Sequence, residues 1–245
     1  MPQTLGGMNK ALAYLTLALS LAFAAAPLVS GDFTGFSADQ LPVPQINPPV
    51  QPAGYAFAIW GPIYLWLVVS AVYGVVSRPV DPRWTAARVP LCMSLGVGVP
   101  WLVIAQISAI WATITIIIMA ATAIWALHRT PAAEVWWLRG PIAFYAGWLT
   151  AASFVSLATT MAGYGILFDS YGWAFVGIIG ALIVAVVTYR RTPTPFYFGS
   201  VIWALVGICV RDGMEYFMVT AVAITGIVVL ICVMAMWAPP VRREV

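Results

Sequence analysis

The sequence predicts an all-α, polytopic transmembrane helix bundle of about eight spans with both termini cytoplasmic. Three observations predict it. Of the 245 residues 62% are hydrophobic and only 8% are charged, whereas a soluble domain carries about 25% charged residues. Apolar runs of roughly 17–25 residues, the length needed to cross a hydrocarbon core, recur along the whole chain. The few Lys and Arg residues collect in alternate connections between those runs, which is how a polytopic chain is oriented. The same numbers exclude intrinsic disorder. A net charge of +3 from eleven Lys plus Arg and eight Asp plus Glu is too small and too scattered for a nucleic-acid partner.

The first span is expected at Ala11 to Ser30. Lys10, the apolar run to Phe23 and the small residues Ala24 to Ala26 also have the layout of a secretory signal, and the expectation is a retained first helix. The second span runs from Tyr55 to Val76, the third from Val89 to Ala105 and the fourth from Ser108 to Leu127. The third and fourth are separated only by the stretch around Gln106. The fifth runs from Pro141 to Met161, the sixth from Trp173 to Tyr189, the seventh from Phe196 to Val210 and the eighth from Tyr216 to Trp237.

With eight spans, Lys10, Arg78, Arg83, Arg88, Arg129, Arg139, Arg190, Arg191, Arg242 and Arg243 all fall on one side, and Arg211 alone falls on the other. Segments rich in Lys and Arg are retained in the cytoplasm, which places both termini there. With Arg outnumbering Lys ten to one and no transit peptide evident, the expected location is a bacterial cytoplasmic (inner) membrane.

The connection from 31 to 54 lies on the opposite, non-cytoplasmic side and holds Pro42, Pro44, Pro48, Pro49 and Pro52. Such a segment is stiff and extended, and loops of this length are usually functional or disordered. Phe33, Phe36 and Leu41 would let it fold over the bundle mouth as a lid, with a plain connector as the alternative. The aromatic-dense stretch Gly54 to Trp66 follows, with Gly61-Pro62 just inside the second span. Ring faces, close backbone approach and a carbonyl freed by proline suit a flat, mostly apolar ligand. Pro100-Trp101 repeats the arrangement more weakly.

Trp84, Trp136, Trp137, Trp173 and Trp237 fall near span ends and read as interface anchors. The three cysteines, Cys92, Cys209 and Cys232, lie in apolar runs without ligand spacing and read as buried thiols, so no metal site is expected. His128, the single histidine, reads as a cation at a helix C-terminus. Arg211-Asp212-Gly213 with Glu215 reads as a turn held by a local ion pair. No acid or base sits at mid-membrane, as a proton-driven carrier would require. No nucleophile elbow, zinc helix motif or P-loop is present, so no catalytic residue is assigned and no obligatory cofactor is implied.

Pro48-Pro49 followed by Trp60-Gly61-Pro62-Ile63-Tyr64 resembles the proline-rich loop and W-x-F-G-P-x-W signature of the TspO translocator-protein family, the tryptophan-rich sensory proteins. Tyr145 to Phe154 is similar to that family's fifth-helix P-Y-x-x-W-x-x-F-A pattern, and Trp125 to Arg129 ends the fourth span as that family's fourth helix ends. The likeness covers about the first 160 residues in order. It departs at Ala58, which stands where the first signature tryptophan would be, and in the third helix, where only Trp101 survives of the polar pattern. The resemblance implies a five-helix unit over residues 1–163 whose non-cytoplasmic loop closes a pocket for porphyrins, sterol-like lipids or related ligands, with a tetrapyrrole or carotenoid-like molecule among the expected partners. On that basis Tyr55, Phe57, Trp60, Pro62, Tyr64, Trp101, Trp148 and Phe154 are the candidate ligand-binding residues. Residues 164–245 would then form an additional three-helix extension. The implied role is sensing, carriage or regulation of pigment synthesis. The alternative is a structural or assembly subunit that docks on a larger photosynthetic or respiratory complex, with Gly172, Gly177 and Gly180 permitting close helix approach. A small-solute transporter ranks third, and membrane lipids are partners in every case.

Overall fold

The computed structural model describes residues 2–31, 33 and 35–237, and among them it contains helices and no strand. Nine α-helices form in order: α1 (Pro2–Ser30), α2 (Trp60–Ser77), α3 (Pro82–Gly98), α4 (Trp101–Ile107), α5 (Ala109–His128), α6 (Gly140–Gly163), α7 (Ser170–Arg191), α8 (Pro195–Asp212) and α9 (Phe217–Met236). Since α3 and α4 form one broken span, the helices make eight spans long and apolar enough to cross a membrane.

Local chemistry sets the ends. The Asp81 carboxylate accepts from the Arg83 amide at 2.9 Å with Pro82 in the first turn, so α3 starts there and not at Val89. The bond from the Arg83 guanidinium, and its charge, hold that carboxyl below the usual carboxylate range. Arg83 and Arg88, expected in the preceding connection, are therefore residues of α3. The third span breaks at Gly98-Val99-Pro100, where proline cannot continue the amide ladder. Ser108 both ends α4 and caps α5 through the Trp111 amide at 3.4 Å. Asp169 caps α7 through the Gly172 amide at 2.8 Å. The fifth span begins early, in a π-turn over Val135–Arg139.

The centre is α6, the most buried of the eight spans. It is flanked by α5, α7, α8 and α2. A helix without solvent must satisfy its polar side chains within the protein, and α6 does so toward three neighbours. Tyr145 Oη lies 3.0 Å from Ser94 Oγ, which donates to the Met119 carbonyl at 2.8 Å. Thr150 meets the Tyr197 hydroxyl at 2.6 Å. Ser156 and Thr160 converge on Thr113 at 2.7 and 2.8 Å. Gly147 lets α8 approach so closely that an added Cβ would stand 2.3 Å from both Ser200 Oγ and the Tyr197 carbonyl oxygen.

One end of the bundle gathers the basic residues. Arg78 pairs with Glu134 at 3.0 Å, linking the α2–α3 turn to the segment before α6. Arg88 is 2% exposed and donates to the carbonyls of Gly74 at 2.8 Å and Arg78 at 3.0 Å. It thereby caps the negative end of α2 with a cation. His128 is tied through Nδ1 to Thr192 Oγ1 at 2.8 Å, and Arg190 lies over the Trp237 ring at 4.7 Å. Arg242 and Arg243 lie outside the described residues. Among the expected interface anchors, Trp136 and Trp137 are exposed, whereas Trp84 is buried against Gly74, so it is a packing residue.

At the opposite end the expected ion pair around Arg211 does not form. Arg211 bonds the Asn47 side chain instead, and Asp212 is buried with Oδ2 unpartnered. Arg211 and Asp212 are consecutive residues at the end of α8, so their side chains leave the helix about 100° apart.

The α6–α8 contact predicts a contrast between two glycine replacements. Gly147→Ala should cost about 1–3 kcal/mol, because backbone oxygen stands in the way. Gly96→Ala, with nothing within 4 Å of the added carbon, should be neutral or stabilising by up to about 1 kcal/mol. Thermal unfolding in one detergent compares them.

Candidate functional site

The proline-rich connection folds over the bundle mouth as a roof. Its attachments are spread along the segment and reach four helices. Gln40 Nε2 donates to the Ala105 carbonyl of α4 at 3.0 Å, and the Val43 amide donates to the Gly163 carbonyl of α6 at 2.8 Å. Ser170 Oγ donates to Gln45 Oε1 at 2.5 Å. The Ala53 amide donates to the Gly207 carbonyl of α8 at 3.0 Å, and the Trp203 indole donates to the Ala56 carbonyl at 2.9 Å. Gly207 has Pro52 and Ala56 2.9 Å from where its Cβ would be, so α8 offers a flat seat for the segment.

Beneath the roof lies a chamber of about 50 Å³. Phe33, Phe36 and Pro52 come down from the connection, Phe57 stands in the 3-10 turn before α2 and Trp60 at the first position of α2, and Trp101, Trp148 and Ala204 are among the other wall residues. The rings meet edge to face, the arrangement their quadrupoles favour. Phe33 lies 5.1 Å from Trp101, and Trp148 lies 6.1 Å from both Phe57 and Trp60. Trp101 is oriented by its own bond to the Ala112 carbonyl at 3.0 Å. A second cleft of about 470 Å³ adjoins the chamber between α1 and α2, and shares Phe33, Phe57 and Trp60 with it. Those three rings partition one space from the other.

The eight residues singled out from sequence divide accordingly. Phe57, Trp60, Trp101 and Trp148 line the chamber, and Tyr64 lines the adjoining cleft, stacked on Trp60 at 5.4 Å. The other three point elsewhere. Tyr55 pairs with Trp203 at 5.6 Å and is 45% exposed. Pro62 is exposed on α2. The Phe154 ring lies against Gly180 of α7, in a small apolar gap between α6, α7 and α8. Sequence reasoning missed Ala204 and the seat on α8, whose signal was only a Trp203-Ala204-x-x-Gly207 spacing on a helix assigned to a separate extension.

The wall is uncharged, with Gln51, Ser156 and Thr159 set among its rings and aliphatic side chains. No described residue lining either space is charged, and no cluster of three or more His, Cys, Asp or Glu suited to a metal is present among the described residues. Gln106, in the stretch that separates the third and fourth spans, donates to the Ser30 carbonyl and closes the end of α1. Thr150 and Ser153 bond other helices. Van der Waals contact, ring stacking and single hydrogen bonds are what these surfaces offer a ligand.

The docking of the roof on α8 has a measurable consequence. In Gly207→Val the added methyls would collide with Pro52 and Ala56, so the segment from 38 to 53 should be cut faster by an added protease. The melting temperature of the helices should fall by no more than a few degrees.

A family model described as TSPO-like protein matches residues 8–236, a range that takes in every helix from α2 to α9 and most of α1. No curated protein and no solved structure matches the chain. Eight apolar spans, an aromatic chamber roofed by the proline-rich segment and a match over nearly the whole length lead to one conclusion: this multi-pass membrane protein belongs to the TSPO-like protein family.

Proposed function

We propose that the protein binds a tetrapyrrole or another flat, mostly apolar ligand in the roofed chamber and acts through that ligand as a sensor, carrier or regulator. The observation that carries this reading is the convergence of Phe57, Trp60, Trp101 and Trp148 with Phe33 of the roof around one uncharged space. Pockets for drug-sized ligands run to roughly 300–1,000 Å³. The chamber alone, about 50 Å³, is below that range, while the cleft beside it, about 470 Å³, is within it. Binding would therefore swing the partitioning rings or lift the roof to merge the two, a population shift driven by the ligand's preference for the open form.

The basic end of the bundle faces the cytoplasm in this reading, and the roof faces away from it, in a bacterial cytoplasmic membrane. The described part of the extension, residues 164–237, is then less an appendage than the outer wall of the site, since Ala204 and Gly207 of α8 touch the chamber and its roof. The rival reading, a subunit docked on a larger complex, gains no support from the glycines of α7. Gly177 is filled by Ala158 and Val50, and Gly180 by Phe154, all of this chain.

Two measurements test the proposal. Titration of the purified protein with protoporphyrin IX and with a neutral steroid should give saturable binding of at least one. Trp60→Leu/Trp148→Leu should weaken that binding at least tenfold while the helical circular dichroism persists; unchanged affinity would remove the chamber. For orientation, in a chain with its native cysteines replaced by serine, a cysteine at Ile46 should react with a membrane-impermeant maleimide added to spheroplasts. One at Arg129 should react only after lysis.

A further inference from the structure

A separate recess lies at the roofed end, where the proline-rich segment meets the C-terminal helices. Residues 44–49 of the roof form one wall, and Asp169, Ser170 and Tyr171 at the start of α7 with Tyr216 before α9 form the other. Two bonds fasten it: Ser170 Oγ donates to Gln45 Oε1 at 2.5 Å, and Arg211 donates to Asn47 Oδ1. The recess measures about 230 Å³, below the roughly 300 Å³ at which pockets begin to enclose a drug-sized molecule. It shares no described residue with the chamber or the cleft beside it, so it would be filled independently of the ligand proposed for the chamber.

The wall favours a cation. Asp169 is its one charged side chain among the described residues. The Asp169 Oδ1 atom accepts from the Gly172 amide at 2.8 Å, and Oδ2 has no hydrogen-bond partner among the described residues. Glu215, exposed and next to Tyr216 in the chain, adds to the negative field. The Tyr171 and Tyr216 rings stand 6.2 Å apart at 41°, two aromatic faces in the same wall as the carboxylate. Such faces attract an ammonium that comes within about 6 Å of the ring centroid. Arg211, joined to Asn47 through one nitrogen, brings a guanidinium to the recess with its other N–H groups available to an anion. A negative, aromatic wall with one neighbouring guanidinium is complementary to a molecule that carries both charges.

The position of the recess points to a lipid as the source of that molecule. The spans α7 and α9 both begin here, so the recess lies where hydrocarbon gives way to water, the level of lipid head groups. Ile46, in the wall and 76% exposed, and Phe217, next to Tyr216 and 56% exposed, offer apolar surface to neighbouring acyl chains. We infer that the recess binds the head group of a zwitterionic phospholipid with a primary ammonium: the ammonium lies between Asp169 and the two tyrosine rings, and the phosphate reaches Arg211. A primary ammonium has N–H groups to donate to the carboxylate and the tyrosine hydroxyls, which a fully methylated one lacks. A space that admits a head group and not a whole lipid suits a ligand whose chains stay in the bilayer. One bound lipid would touch the roof and the C-terminal helices together.

Native mass spectrometry of the full chain released from nanodiscs tests this, with phosphatidylethanolamine, phosphatidylcholine and phosphatidylglycerol of identical acyl chains at equal mole fraction. The wild type should retain one phosphatidylethanolamine roughly tenfold more often than one phosphatidylglycerol, the combined worth of a surface ion pair and a cation–π contact. Phosphatidylcholine should fall between them. Asp169→Asn keeps a side chain able to cap α7 and removes the charge, and should cut the preference to about threefold or less. Tyr171→Leu/Tyr216→Leu should reduce it in the same way. Equal retention of phosphatidylethanolamine and phosphatidylglycerol by the wild type, which needs no variant to fold, would overturn the inference. So would a preference undiminished in both variants, or phosphatidylcholine held as often as phosphatidylethanolamine. Displacement of the retained lipid by millimolar phosphoethanolamine would assign the recess to a soluble amine phosphate and overturn the lipid as its occupant.

Discussion

The hydroxyl and glycine faces of α6 are the constraint on which the rest of the architecture depends. In a hydrocarbon medium helices gain little from hiding apolar surface, so their association relies on close packing and on polar groups that find partners inside. Helix α6 supplies both. Gly147 brings α8 to backbone contact, and Tyr145, Thr150 and Ser156 each bond a different neighbour. Because α3, α5 and α8 are positioned by these bonds, the spaces between them are fixed too. The chamber is the gap that remains where α6 turns Trp148, Ala151 and Val155 toward the start of α2.

Helix α8 has a double role that follows from this placement. One face sits against Gly147; another, one to two turns on, carries Trp203 and Gly207 to the connection between the first and second spans. The proline-rich segment cannot pair with itself, and its free amides and carbonyls need acceptors and donors from elsewhere. The Gly207 carbonyl, the Gly163 carbonyl and the Trp203 indole supply them. The roof is therefore held by the C-terminal half of the chain as firmly as by the helices it connects.

The basic end is organised by a different interaction. Arg88 is buried under the C-terminus of α2, and its guanidinium donates to the carbonyls of Gly74 and Arg78 at once. With the Arg78–Glu134 pair and the His128–Thr192 bond, it joins the ends of successive helices into one layer. The roofed end is held mainly by amide and hydroxyl bonds, with the Arg211–Asn47 bond and the Asp169 cap as its charged contacts. This division keeps charge away from the chamber.

Fold class and span number were legible in the sequence because they depend on composition and run length, which a bilayer reads one residue at a time. Alternating Lys and Arg likewise required no three-dimensional knowledge. Phe57, Trp60, Trp101 and Trp148 were legible through their spacing beside proline and glycine, which is local. The other three candidates were not: Tyr55, Pro62 and Phe154 occupy the same motifs, and only the packing decided that Tyr55 turns to Trp203 and Phe154 to Gly180. Arg88 read as a loop cation because a charge within an apolar span is affordable only when distant carbonyls surround it. The role of α8 was hidden for the same reason. A roof seated on Gly207, more than 150 residues from its partner Ala53, is a long-range contact that no local pattern encodes. Sequence determined which segments enter the membrane; packing around α6 decided which side chains face the chamber.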